Sequence, residues 1–322
     1  MVKLDGITSF VAIAEMGSIS AAARRLNLSK SVVSERLADL ERDLGARLFH
    51  RTTRRLSLTE DGMAFLERAN RILREVDEAA AELSERRGQL TGPMRISAPV
   101  TFGRMHLGPA LYPFLAEHPD ISLTLELDDR RVDASAEGFD AVVRHGVLED
   151  SRLVAWQLAP SQRLMVASPE YLARHGEPRS LEALASHRAI YYLNRGVADW
   201  RFLAAGSGFT RPSPALRVNN GDVMRDAALA GLGLALLPTF IVGQDIAAGS
   251  LRVLDVGNTV EPESIYVAHP QGRRASAKLR ALVASVRNAL GDPPYWDQAI
   301  ASFNADASGH PPAPSSGLPR RL

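Results

Sequence analysis

Nine basic side chains lie between Arg24 and Arg55: Arg24, Arg25, Lys30, Arg36, Arg42, Arg47, Arg51, Arg54 and Arg55. Only Glu35, Asp39, Glu41 and Asp43 oppose them, a net +5 in a chain whose total is +1. Clustered guanidinium groups donate to phosphate oxygens, so this is the footprint expected of a surface that holds a nucleic-acid backbone. Nothing comparable exists for covalent chemistry. With no cysteine, thiolate metal sites, iron–sulfur clusters, disulfides and thiol nucleophiles are removed. The eight histidines show no short metal-ligand spacing, and neither a GxSxG elbow nor a GxxxxGK phosphate loop occurs. Gly231-Leu-Gly233 has half of a dinucleotide fingerprint, but Leu236 stands where the third glycine belongs. It also follows a helical pattern and precedes a strand, the reverse of the dinucleotide order, and reads as a helix C-cap. The expectation is a non-enzyme with no metal and no cofactor.

The basic segment must be carried by short helices. Leu4, Ile7, Phe10, Val11 and Ala14 recur at helical spacing up to Met16, and Gly17 follows as a C-cap. A second helix runs over 20–26, with Ser18 or Ser20 as its N-cap, and Asn27-Leu28-Ser29 turns the chain. A third runs from Lys30 to Leu44, capped by Ser29 and closed by Gly45. Its apolar seam is Val33, Leu37, Leu40 and Leu44, so Ser31, Ser34, Glu35 and Ala38 point away from it. A short helix, a tight turn and a second amphipathic helix make a helix-turn-helix. Leu48-Phe49, then a basic turn, then Leu56 and Leu58 predict a hairpin, or wing, with Arg51, Thr52, Thr53 and Arg54 at its tip.

The rest of the chain is long enough for further domains: 322 residues, 45% apolar and 23% charged, the composition of an ordinary globular protein. The first twenty residues carry Asp5 and Glu15 and lack the continuous apolar core of a signal peptide. The most apolar stretch, 229–242, is interrupted by Gly231, Gly233 and Pro238, and a span needs about 18 residues. A soluble cytoplasmic protein with no membrane partner is expected. Residues 304–322 are rich in Pro, Ser and Gly, and 299–322 is predicted to be a disordered tail.

The run Gly17-Ser-Ile-Ser-Ala-Ala-Ala-Arg-Arg-Leu26, then Leu28-Ser-Lys-Ser-Val-Val-Ser34, Leu40-Glu-Arg-Asp-Leu-Gly45, Leu48-Phe-His-Arg-Thr52 and Leu58-Thr-Glu-Asp-Gly62, resembles the N-terminal signature of LysR-type transcriptional regulators. The resemblance implies an all-α winged helix-turn-helix (1–58), a long linker helix (59–91) and a two-lobed α/β effector domain like a periplasmic binding protein (92–298). It implies double-stranded promoter DNA as partner, with Lys30, Ser31, Ser34, Glu35 and Arg36 at the positions that read the major groove. Glu35 departs from the basic or amide residue common there. It can accept from a cytosine amine, or pair with Arg36 or Arg24. RNA polymerase is a further candidate partner.

Thr59 can cap a helix that opens on Glu60-Asp61. Its apolar series is Leu66, Ala69, Leu73, Val76, Ala80 and Leu83, spaced 3, 4, 3, 4, 3, a narrow seam suited to one partner helix. The alternative is packing on the chain's own effector domain. The resemblance favours a homodimer through this seam, and a homotetramer beyond it. A two-fold dimer would present two reading helices to a roughly palindromic site.

Gly92-Pro93 breaks the linker helix. Strands are predicted over 94–98, 122–127, 141–144, 163–167, 217–218, 234–237 and 265–268, with helices at about 101–117, 169–175, 221–230 and 275–290. The implied lobes are about 92–161 with 266–298, and about 162–265. A small-molecule effector would sit between them. Candidates are Pro99 and Thr101 at a helix N-terminus, Arg144 at a strand end, and Asn194, Trp200 and Asn219 from the second lobe. Arg144 and the helix N-terminus favour an anionic effector. Arg144 could equally make an interlobe salt bridge, and Trp200 could be core. The competing class is a solute-binding protein, or a small-molecule enzyme, with a helical appendage. It lacks the expected signal peptide in one case and a catalytic constellation in the other.

Overall fold

A computed structural model describes residues 1–51, 56–85, 89–130, 132–146, 153–200, 202, 211–258, 260, 262–271 and 275–297. The chain divides into two compact units, Met1–Gly92 and Pro93–Leu322.

In the first unit, α1 (Leu4–Met16), α2 (Ile19–Arg25) and α3 (Lys30–Leu44) form the helix-turn-helix. The caps are local: Ser18 Oγ accepts from Ala21 N at 3.4 Å and Ser29 Oγ from Val32 N at 3.3 Å. β1 (Phe49–Arg51) and β2 (Leu56–Leu58) pair antiparallel as the wing. α4 (Glu60–Glu85) begins where Thr59 Oγ1 accepts from Gly62 N at 2.9 Å. Ile7, Phe10, Val33, Leu37, Leu40 and Phe49 build one core, and Ala69 of α4 is buried in it.

The second unit holds two five-stranded sheets, one per lobe. The chain runs β3 (Gly92–Ala98), α5 (Val100–Phe102), a π turn (Gly103–Leu107), α6 (Gly108–Glu117), β4 (Ile121–Leu127), β5 (Ala141–Gly146) and β6 (Leu153–Ser161). It then crosses to β7 (Arg163–Ala167), α7 (Pro169–His175), β8 (Arg188–Tyr192), β9 (Ser213–Val218), α8 (Gly221–Leu229), β10 (Leu234–Pro238), α9 (Thr239–Ala247) and β11 (Arg252–Val253). It returns through β12 (Glu263–Pro270) and ends on α10 (Ala277–Leu290). The strand orders are β4-β3-β5-β12-β6 and β11-β7-β10-β8-β9.

Three differences from the sequence reading have physical reasons. β6 carries Pro160 yet is a strand, because it is an edge strand where a missing N–H costs no ladder bond. The return strand starts at Glu263, ahead of residue 266, and pairs antiparallel with both β5 and β6. The apolar stretch 229–242 is three short elements: Gly231 turns at φ +72°, and a Cβ on Gly233 would lie 2.5 Å from the Arg188 carbonyl oxygen. That glycine pair serves a turn and a close backbone approach, with no phosphate loop. No single helix among the described residues is long and apolar enough to cross a membrane.

Candidate nucleic-acid interface and ligand cavity

Lys30, Ser31 and Glu35 are exposed on α3 and Ser34 is half-buried, as the apolar seam beneath them requires. One of the neighbouring acids, Glu41, is withdrawn from this surface. Glu41 is buried and accepts from the amides of Leu48 at 2.9 Å and Phe49 at 3.4 Å, with Arg47 at 3.3 Å. Asp39 pairs with Arg42 at 2.8 Å. Arg36 reaches Asp5 of α1 at 2.9 Å and stays partly exposed. Glu35 pairs with neither Arg36 nor Arg24, and among the described residues it has no ion-pair partner. Arg51 closes β1, while Thr52, Thr53 and Arg54 lie outside the described residues.

The α4 seam is divided. Ala69 is fully buried, and Leu66 and Leu73 pack against the core of their own winged helix-turn-helix. This corrects the reading of all six positions as one partner-facing stripe. The later half differs: Val76 is 43% and Leu83 60% exposed, and Ala80 is exposed. Ile72, absent from the a/d series, is also exposed and adjoins Val76 on the same side.

In the second unit a cavity of about 750 Å³ is lined by residues of both lobes, including Pro99, Thr101, Arg144 and Asn194. Two expected residues are elsewhere. Trp200 has no exposure and belongs to the second lobe's core with Met165, Leu172 and Leu234. Asn219 is exposed and outside the lining; its neighbour Asn220 instead caps α8, accepting from Val223 N at 3.1 Å. The helix N-terminus at Val100 is already filled. Val100 N donates to Asp129 Oδ1 at 2.9 Å, so this amide at the helix start holds a resident carboxylate. Arg144 donates to the carbonyls of Val132 at 2.6 Å and Arg130 at 3.3 Å, within its own lobe.

The sequence reading missed the charged network beside this cavity. Arg195 of the second lobe forks onto Glu263, which is buried. Arg163 donates to Asp199 Oδ1 at 2.6 Å, and Asp199 Oδ2 accepts from Tyr192 N at 2.8 Å. His145 lies between Ser161 at 3.0 Å and Glu263 at 3.2 Å on one side, and Arg195 at 3.3 Å on the other. A guanidinium only donates, so Nδ1 facing Arg195 must be the lone-pair nitrogen and Nε2 carries the proton. Burial, reinforced by Arg195 and Arg163 and opposed by Glu263, pulls the His145 pKa down to about 3. Burial brings Arg163 down to about 10. Burial alone would push Glu263 up, but the Arg195 fork and nearby charges hold it below the usual carboxylate range.

Further bonds join the lobes. Thr101 Oγ1 reaches Asp222 at 3.2 Å and Arg104 reaches it at 2.5 Å, while Asn194 Nδ2 donates to the Asp129 carbonyl at 3.0 Å. His106 Nε2 meets the Phe240 carbonyl at 2.8 Å, carried there by the π turn that a 3.6-residue pattern does not anticipate. One sequence signal did point here: the run Asp128-Asp129-Arg130 stands just after strand β4, at the carboxyl edge where such sheets bind ligands. Among the described residues no three His, Asp or Glu side chains gather to hold a metal ion.

Comparison with known proteins agrees with both units. Residues 4–63 match the bacterial regulatory helix-turn-helix protein, lysR family, and residues 87–291 match the LysR substrate binding domain. The chain is 37% identical over 290 residues to the transcriptional regulator CrgA of Neisseria meningitidis serogroup C, covering 89% of this chain and 97% of that one. It is 34% identical over 297 residues to the regulator PtxR of Pseudomonas aeruginosa, covering 91% and 95%. The solved structure of CrgA, a LysR-type regulator, superposes with a TM-score of 0.57 at 32% identity over 88% of this chain and 98% of that one. The full-length Vibrio cholerae virulence activator AphB superposes with a TM-score of 0.57 at 25% identity, covering 89% and 99%.

Proposed function

The chain belongs to the LysR family of bacterial transcriptional regulators, and from that premise we propose how its own residues divide the work. It is a DNA-binding regulator with an effector domain, and neither an enzyme nor a solute carrier. In our reading Lys30, Ser31, Ser34 and Glu35 read base edges, Glu35 by accepting from a cytosine amine. Arg51, with Thr52, Thr53 and Arg54 of the wing, holds phosphates. Val76, Ala80 and Leu83, joined by Ile72, pair with a second copy to make a dimer, two of which form a tetramer beside RNA polymerase. The two-lobed cavity takes a small effector whose anionic group meets Arg144, since Asp129 already fills the Val100 amide.

The observation that carries the DNA reading is the separation on α3: exposed Lys30, Ser31 and Glu35 on one side, with Glu41 turned inward to cap Leu48 and Phe49. The test is binding to the promoter beside the protein's own gene and to random duplex, across a salt series. Arg51→Ala should weaken all sequences alike and reduce the salt slope by roughly 0.9 per phosphate lost. Ser34→Ala should change the preference among sites. Equal affinity of the wild type for promoter and random duplex would overturn the reading.

A further inference from the structure

Four carboxylates and four guanidinium groups line the cavity: Asp128, Asp129, Asp199 and Glu263, and Arg130, Arg144, Arg163 and Arg195. Three of the carboxylates sit on a guanidinium, Asp128 with Arg130 at 2.7 Å, Asp199 with Arg163 at 2.6 Å and Glu263 with Arg195 at 2.5 Å. Asp129 does not. Its Oδ1 accepts from Val100 N at 2.9 Å and its Oδ2 from Asn220 Nδ2 at 3.5 Å, both neutral donors. Among the described residues no cation pairs with it. A carboxylate has about four acceptor positions, so each Asp129 oxygen keeps room for another donor. Burial, with Asp128 and Asp222 nearby, pushes its pKa up, as expected for a carboxylate short of positive charge.

The Tyr192 hydroxyl lies one bridging amide away from this residue. Asn194 Nδ2 reaches both the Asp129 carbonyl at 3.0 Å and the Tyr192 hydroxyl at 3.3 Å, and Tyr192 lines the cavity. A carboxylate without a resident cation, near a phenolic hydroxyl that can also accept, suits an alkylammonium group, which has three N–H bonds to donate. We propose that the effector carries an amino group, bound as its ammonium ion against Asp129 beside Tyr192, in addition to an anionic group at Arg144. The effector is then a zwitterion small enough for a cavity of about 750 Å³. This rests on the reading of the cavity as the effector site.

A helix cap alone would not need the charge of Asp129. Asparagine offers Val100 the same acceptor, so Asp129→Asn separates capping from recognition. The full-length protein is titrated with the ω-amino acids from β-alanine to 6-aminohexanoate, with the matching des-amino carboxylates and with the matching alkylamines. Calorimetry and the melting temperature report binding. In the wild type at least one amino acid should bind about tenfold more tightly than its des-amino partner. Asp129→Asn should abolish that difference while the des-amino carboxylates bind as before. Tyr192→Leu, which leaves the Val100 cap in place, should weaken the amine-bearing probes and spare the carboxylates, a second readout if Asp129→Asn folds poorly. Carboxylates binding as well as amino acids, or an amine preference that survives Asp129→Asn, overturns this inference and leaves the cavity a ligand site. Binding by no probe up to about 10 mM overturns the inference and the cavity reading together.

Discussion

Arg195 and Glu263 join the two lobes by a two-pronged ion pair, Nη1 to Oε1 at 2.5 Å and Nη2 to Oε2 at 2.7 Å. Arg195 belongs to the segment after β8, and Glu263 is the first residue of the strand that returns to the first lobe. The Glu263 side chain is 7% exposed, so its charge depends on this partner. Arg195→Ala leaves a buried carboxylate uncompensated and should cost about 3–5 kcal/mol in the effector unit. Adding Glu263→Gln should recover much of that loss. Denaturant unfolding of the two single variants and the double variant measures the coupling. Additive losses would show that the pair contributes little.

His145 gives the effector unit a pH dependence of definite sign. Its folded pKa is about 3, against 6.5 for an unperturbed histidine. Below pH 6.5 the unfolded chain takes up a proton that the folded one refuses, so stability falls as pH drops from 6.5 towards 3. The slope approaches about 1.4 kcal/mol per pH unit for this one group. His145→Gln should flatten the change in melting temperature between neutral and mildly acidic pH. An unchanged profile in that variant would place the acid sensitivity elsewhere.

Gly62 lets α4 approach the wing. A Cβ there would lie 2.1 Å from the Leu48 carbonyl oxygen, a backbone atom that cannot swing aside. Gly62→Ala should therefore destabilise the first unit by about 1–3 kcal/mol or more. The loss should appear as an earlier thermal transition together with weaker DNA binding. Wild-type values for both would mean that α4 and the wing separate cheaply.

The divided seam on α4 gives two tests of the proposed dimer. Leu83→Glu adds a charge at an exposed position and should leave the winged helix-turn-helix intact while splitting the dimer. Leu73→Glu strikes a side chain that packs on its own core and should lower both dimerisation and stability. Sedimentation and thermal unfolding distinguish them. DNA affinity should fall in both, because a monomer engages one half-site and loses the linkage between two. A fully dimeric Leu83→Glu protein would move the assembly to another surface.

Short-range chemistry was readable in the residues. Ser29, Thr59 and Gly45 act within a turn of where they stand, and the apolar spacing of α1 and α3 specifies which side is buried. Those features depend on neighbours three or four positions away, so the linear order contains them.

The pairings that set the site join residues far apart in the chain. Arg195 meets Glu263 across 68 positions, Asp129 fills the Val100 amide across 29, and Arg36 turns to Asp5 of another helix. A side chain's type says what it can bond, but the partner depends on which elements pack together, and many arginines and acids compete for each place. Asn220 rather than Asn219 reaches Asp129 because it is the N-cap of α8, a position fixed by the helix that follows, while Asn219 stands exposed after β9. Trp200 is core because the second lobe closes around it. Burial then acts on these pairings, neutralising His145 and leaving Asp129 short of positive charge, and no residue carries that in its own identity.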